Sequence, residues 1–378
     1  VHGPISRLQF ARLLAGVPCF AVGCARKAAP RALSSDKVQR VERILRRLVA
    51  ARAVPGVSYS IGDAAATLCE GAFGLRTVDP QLPMAADTRC ALASVSKQFA
   101  SAAAYLLQQV GELSVTAPVS KYLPEYVNGD KMTVFDVLTM RSGISADDHA
   151  CEQPIEGRIY DSTLIANLNG KKLDFTPGRS FAYSNCGFDV VGAVVARASG
   201  MPYTAFIDQH FFRPLGMTNS YALGSRVADP NFAAGYARAR RDWKAAGPTP
   251  ADAAFASSNL VSTAEDMQHW NRSLLNATLL SRDSLRQMFM VPAAPGSVDG
   301  HYASGWFVEP SGVIWHRGAL AGYGTVNMLI PKTGYAITVL GNTAPNARWK
   351  PEEIAWEIYN AAALGPALPR LSEFRHAT

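Results

Sequence analysis

Ala93-Ser94-Val95-Ser96-Lys97-Gln98-Phe99 is the stretch on which the reading of this 378-residue chain turns. Small and apolar residues surround a serine and a lysine three positions apart. With a helix opening near Ser94, Lys97 lies one turn on along the same face and its amine reaches the serine Oγ. The amino end of a helix favours negative charge, so it assists an alkoxide and disfavours a protonated lysine. A desolvated lysine is then a competent base for a nucleophilic serine. The pattern is short and recurs at Ser34-Ser35-Asp36-Lys37. That copy precedes a basic, surface-like helix and reads as a helix cap.

The segments on either side supply a frame. Val38, Val41, Ile44, Leu45, Leu48 and Val49 recur at helical spacing between Lys37 and Arg52, with Ser34, Ser35 and Asp36 as caps and Val54-Pro55-Gly56 as the stop. Val57 to Ile61 and Ala66 to Cys69 read as strands about a turn at Gly62-Asp63. From Ser94 to about Ser281 the period is mainly helical, and Ser262-Thr263-Ala264-Glu265 has the form of a capping box. Strands return at Gly305 to Val308, Gly312 to His316, Val326 to Ile330 and Ala336 to Leu340, followed by a closing helix, Glu352 to Ala363. Strands at both ends with helices between them predict an α/β (α+β) fold. An antiparallel sheet is built from both chain ends and covered by the terminal helices, with an inserted, mainly helical region at its edge. The expected division is a leader or linker over 1–35, one domain over 36–365 and a tail over 366–378. Within the domain, the sheet parts fall near 36–90 and 300–365 and the helical part near 91–299. The sheet–helix junction is where a small-molecule cleft belongs.

Two further elements carry chemistry. Tyr183-Ser184-Asn185 follows Thr176-Pro177-Gly178-Arg179. A tyrosine beside a lysine is able to relay a proton, and an asparagine amide to hold a carbonyl and the lysine. His316-Arg317-Gly318-Ala319 ends a strand. There Gly318 lets a substrate approach, the Ala319 N–H pairs with that of Ser94 as an oxyanion hole, and His316 donates to substrate or tunes Tyr183. Tyr126-Val127-Asn128 repeats the tyrosine–asparagine form without support around it. Lys332-Thr333-Gly334 spells a K-T-G signature, but after Pro331 and between two apolar runs it reads as a hairpin turn.

Composition narrows the classes. The net charge is +7, yet eleven basic residues precede Ala53 against only Asp36 and Glu42, so the first 52 residues carry about +9 and the rest about −2. A basic N-terminus on a near-neutral body does not describe a nucleic-acid-binding surface. The six cysteines, Cys19, Cys24, Cys69, Cys90, Cys151 and Cys186, form no C-x-x-C, and no Cys/His spacing resembles a metal site. One or two disulfides among the last four suit an oxidising compartment, and their pairing is left open. Arg7 and Arg12 before the apolar run Leu13 to Cys24 fit a secretory leader, and Ala21-Val22-Gly23-Cys24 resembles a lipoprotein processing site that would acylate Cys24. Pro18 and the lack of an A-x-A site weigh against this. The expected location is periplasmic or secreted, with a cytoplasmic protein as the alternative. The expected membrane contact is only through the leader or a Cys24 anchor.

Serine at S-x-x-K, then Y-x-N, then H-x-G, in that order, resembles the class C β-lactamase-like serine hydrolases. These adopt the penicillin-binding-protein fold and include β-lactamases, D,D-peptidases, D-aminopeptidases and esterases. The resemblance runs from roughly Val54 to Asn342. It includes Val54-Pro55-Gly56-Val57, Asp87-Thr88, Pro118 to Pro124, Thr133 to Thr139 with Ser142-Gly143, and Pro214-Leu215-Gly216-Met217. It implies Ser94 as nucleophile, Lys97 and Tyr183 as the base pair, Asn185 as a substrate contact, and His316 in the place of the K-T-G lysine, with Gly318 and Ala319 completing the strand edge. The implied reaction is acyl transfer through Ser94 on a small ester, amide or peptide, which calls for no metal or organic cofactor. Histidine at the third motif removes a fixed positive charge, which moves the expectation from penicillins towards esters, amides or D-amino-acid peptides unless Arg317 faces the cleft. The alternatives are a true class C-like β-lactamase and a catalytically idle binding or scaffolding member of the fold. Met140, Arg141, Ser258 and Asn259 depart from the family pattern and read as peripheral to the chemistry.

Overall fold

The computed structural model describes residues 32–146, 151, 160–225, 229–240, 242–247, 255–292 and 301–368. The expected leader and the end of the tail lie outside these residues.

The chain begins with helix α1 (Ser35–Ala50), whose Val41, Ile44, Leu45 and Leu48 are buried on one face as their spacing predicts. Strands β1 (Gly56–Asp63), β2 (Thr67–Thr77) and β3 (Leu82–Pro83) follow. The C-terminal half returns β4 (Tyr302–Ala303), β5 (Trp306–Val308), β6 (Ile314–Leu320), β7 (Tyr323–Ile330) and β8 (Tyr335–Gly341). All eight form one antiparallel sheet in the order β3-β2-β1-β8-β7-β6-β5-β4. The two chain ends meet where β1 pairs β8, from Val57 opposite Gly341 to Asp63 opposite Tyr335. Helix α5 (Pro351–Ala361) closes the chain and packs beside α1. Most strands are longer than their apolar cores suggested, because β2 and β6 continue through glycine-containing stretches that alternation alone does not flag.

Between the sheet halves lie helices α2 (Lys97–Gln109), α3 (Asn185–Ser199) and α4 (Ala264–Asn276), among shorter elements. One expectation needs correcting. The inserted helices do not stop at the sheet edge: α4 lies across β1 and β8 on the face opposite the terminal helices. It is stitched there by Ser60 Oγ, which donates to the Ala264 carbonyl at 2.5 Å, and by Gln268 Nε2, which donates to Ser60 Oγ at 2.9 Å. The start of α4 also differs. Its N-cap is Thr263, which accepts from the Asp266 N–H, and the Asp266 carboxylate goes to Ser220 and the Asn219 N–H. Ser262 and Glu265 make no capping box. Lys332-Thr333-Gly334 forms the β7–β8 hairpin, closed by the Gly334 N–H on the Ile330 carbonyl at 2.8 Å with Gly334 at φ +77°. The left-handed φ is one that glycine adopts freely.

Candidate active site

The nucleophile turn is clamped on both sides. Leu92 donates its N–H to the Leu260 carbonyl at 2.8 Å and accepts from Thr325 Oγ1 of β7 at 2.8 Å, while Ser96 Oγ accepts from the Leu260 N–H. Gly318 permits this approach: a Cβ there would lie 2.2 Å from the Leu92 carbonyl oxygen and 2.3 Å from Thr325 Oγ1. This adds a reason for the glycine that the motif does not supply: it admits the turn that carries Ser94. Ala93 holds φ +50°, a left-handed conformation that costs a non-glycine residue energy and persists only where its surroundings impose it.

From Cys90 to Leu107 every residue is buried except Ser94, which is half-buried. Residues 93–96 form a single 3-10 turn that runs directly into α2, so Ser94 and Lys97 do share one helical face. Lys97 is 0% exposed. Its Nζ lies 3.0 Å from Ser94 Oγ, 2.6 Å from Asn185 Oδ1 and 3.0 Å from the Ser257 carbonyl, and 4.9 Å from the centre of the Tyr183 ring. Asn185 opens α3, capped by Ser184 Oγ on the Gly187 N–H at 3.0 Å. The peptides flanking Tyr183 both reach Met140: the Ala182 N–H donates to its carbonyl and the Ser184 N–H to its sulfur. Met140, expected to be peripheral, is therefore the anchor of the tyrosine loop. The paired Tyr126-Val127-Asn128 copy closes on its own loop, where Asn128 Oδ1 accepts from Lys131.

The third motif is placed by strand alternation. Trp315 and Val313 belong to the core beneath the terminal helices, and Ile314 to the core on the opposite face. His316 and Gly318 thus face the nucleophile, and Arg317 faces away, pairing with Glu352 of α5 at 3.2 Å. Arg317 does not replace the missing positive charge. His316 is 1% exposed, its ring 6.2 Å from that of Tyr183. Its Nδ1 is 2.6 Å from the Arg317 carbonyl, which only accepts, so the proton sits on Nδ1. Nε2 then accepts from Tyr302 Oη at 3.1 Å. Burial, reinforced by the charges of Lys97 and Arg317, lowers the imidazole to about 3 despite the bond to the Arg317 carbonyl, so it is neutral. Tyr302 is buried, and desolvation with Tyr183 nearby holds its phenol protonated. Tyr302, Phe181 and Phe307 make an aromatic wall beside the imidazole. Ala319 lies exposed beyond Gly318, opposite Gly324 of β7.

The structure therefore gathers Ser94, Lys97, Tyr183, Asn185 and His316 around one point. Sequence reading missed Ser257, because a backbone carbonyl has no residue signature, and Tyr302, because a tyrosine in a two-residue strand carries no motif. Cys151 and Cys186 form a disulfide, Cα–Cα 5.6 Å, beside Asn185, and Cys69 and Cys90 are free thiols.

The family described as Beta-lactamase matches the chain over residues 41–358. Protein flp of Staphylococcus aureus (strain COL) is 24% identical over 361 residues, covering 91% of this chain and 71% of its own length. D-amino acid amidase from Ochrobactrum anthropi SV3, solved with D-phenylalanine, superposes with a TM-score of 0.75 at 21% identity, covering 86% of this chain and 99% of that one. A class C β-lactamase superposes with a TM-score of 0.72 at 20% identity, covering 86% and 96%. At these identities the structural likeness is one of fold.

Proposed function

The chain belongs to the β-lactamase family, and from that premise we propose that it is a serine hydrolase cleaving esters or amides through an acyl-enzyme on Ser94. The observation that carries this reading is a fully buried lysine 3.0 Å from the hydroxyl of Ser94, the one residue from Cys90 to Leu107 that is not buried. Lys97 takes the Ser94 proton as the hydroxyl attacks the substrate carbonyl. The start of α2 and the Ser94 and Ala319 N–H groups stabilise the resulting oxyanion. Tyr183, against Lys97, passes the proton to the leaving group, and the tetrahedral intermediate collapses to the acyl-enzyme. Water then attacks the ester, and Ser94 regains its proton. Asn185 holds Lys97 and contacts substrate.

The third motif supports substrates without a carboxylate. His316 carries no charge and Arg317 is tied to Glu352 on the far face, so among the described residues neither of these two side chains offers a substrate carboxylate a cation. The wall of Phe181, Tyr302 and Phe307 suits an apolar substituent. Small esters, and D-amino-acid amides of the kind named for the amidase, fit this better than penicillins. The Cys151–Cys186 disulfide supports a periplasmic or secreted location.

The test compares wild type with Ser94→Ala on p-nitrophenyl acetate and butyrate, a D-amino-acid amide and a chromogenic cephalosporin. Ester or amide turnover lost in the variant is the expected result. Cephalosporin turnover of comparable efficiency would favour a β-lactamase, and no turnover of any substrate an idle scaffold.

A further inference from the structure

Among the described residues, Lys97 donates to two carbonyl oxygens besides Ser94 Oγ, and they are supported differently. Asn185 Oδ1, at 2.6 Å, stands on the first turn of α3. The Ser257 carbonyl, at 3.0 Å and buried, belongs to the turn that leads into the short strand Leu260–Ser262. The N–H of that same residue donates to Asp189 Oδ1 at 2.9 Å, also buried. Asp189 lies one helical turn beyond Asn185 on α3 and is 8% exposed. Gly192 lets the turn lie directly on the helix, since a Cβ there would come 2.5 Å from Ala256 Cβ and 2.7 Å from the Phe255 ring. One helix therefore supports both acceptors, one by a side chain and one through a peptide that it pins.

This arrangement decides where the amine's lone pair points. As an ammonium, Lys97 donates to Ser94, Asn185 and Ser257. Once it has lost a proton, the two carbonyl oxygens, which only accept, keep the two remaining N–H groups. The lone pair is left facing Ser94 Oγ, and Ser94 becomes the donor. If the Ser257 carbonyl drifts, the amine rotates and the lone pair turns away from the hydroxyl.

We propose that Asp189 is a positioning residue for Lys97, fixing the Ser257 peptide so that the neutral amine aims its lone pair at Ser94. The inference rests on the Ser94 hydrolase reading, so Ser94→Ala is run in the same series: turnover surviving in it defeats that reading and says nothing of Asp189. Steady-state kcat and KM are measured with p-nitrophenyl butyrate for wild type, Asp189→Ala and Asp189→Asn. A fluorophosphonate titration of acylable sites normalises for folded protein. Asp189→Ala is expected to lose roughly tenfold to a hundredfold in kcat, as misplacement of a reacting group does, with KM within about twofold because no substrate contact is lost. Asp189→Asn keeps an acceptor for the Ser257 N–H and is expected to stay within roughly threefold of wild type in kcat. Should Asp189→Ala not fold, Asp189→Leu, of similar size and without an acceptor, takes its place with the same expectation. Wild-type kcat in the folded Ala or Leu variant, or an Asn variant as impaired as either, overturns the proposal.

Discussion

On the face of the sheet covered by α1 and α5, Val57, Tyr59 and Ile61 of β1 meet Val326, Met328 and Ile330 of β7 and Ile337 and Val339 of β8 in an apolar core. On the opposite face the same strands present Ser58, Ser60, Thr325, Asn327 and Thr338, and these are equally buried. Thr325 donates to the Leu92 carbonyl, Ser58 Oγ finds no hydrogen-bond partner among the described residues, and α2 and α4 answer Ser60, Asn327 and Thr338 with polar groups. Asn327 Nδ2 donates to Gln98 Oε1 at 3.0 Å and to Asn271 Oδ1 at 2.8 Å, Thr338 Oγ1 donates to Asn327 Oδ1 at 2.7 Å, and Trp270 Nε1 donates to Gln98 Oε1 at 3.1 Å. Burial without these hydrogen bonds would be costly for Asn327, Thr338 and Trp270. The apolar face holds the sheet to its cover by area. The polar face fixes position, and its network ends on Gln98, the neighbour of Lys97.

The largest effect should separate stability from turnover. Leu45, 0% exposed on α1, lies in the apolar core. Leu45→Ala is expected to cost about 2–5 kcal/mol in denaturant unfolding and to leave kcat per titrated site unchanged. A matching fall in kcat would erase the distinction between the faces.

The buried imidazole on the polar side should make stability sensitive to acid. His316 is held near 3 in the folded protein, whereas the unfolded chain binds that proton near the ordinary histidine value of about 6.5. Below that value the unfolded state takes up the proton and the folded state does not. Its contribution therefore falls as pH drops towards about 3, by at most about 1.4 kcal/mol per unit. The unfolding free energy of His316→Gln should decline less steeply than that of wild type between about pH 6.5 and about pH 4.5. Parallel slopes would mean that the imidazole is already charged.

Asn327→Leu sharpens the contrast from the other side. It strips Asn271 of a donor and Thr338 of an acceptor, at about 1–3 kcal/mol. It should also lower kcat, by up to roughly tenfold, because the α2 side of the network loosens. Lost stability with wild-type kcat would show that the polar layer is structural only. The smallest effect belongs to Lys332→Ala in the exposed β7–β8 hairpin. Stability should stay within about 0.5 kcal/mol and kcat should be unchanged, and a dead but folded variant would overturn the motif assignment.

Much of the apolar face was legible, because the helical spacing of Val41, Leu45 and Leu48 and the alternation in β1 and β7 report burial directly. So was the Ser94–Lys97 pair, since three residues along a helix return to one face. The polar face was not. Ser58 between Val57 and Tyr59, or Asn327 between Val326 and Met328, reads as a solvent-facing position, and only the tertiary cover of α2 and α4 buries it. For the same reason the sequence does not show what Met140 anchors or which turn Gly318 admits: their partners, Ser184 and Leu92, lie 44 and 226 residues away in the chain.

The central claim is that Ser94 forms a covalent acyl intermediate. Intact-mass and peptide mapping of protein quenched during p-nitrophenyl butyrate turnover tests it most directly. The account predicts one butyryl group on the peptide containing Ser94, absent in Ser94→Ala. Turnover in wild type with no adduct, or with the butyryl group on another residue, would contradict it.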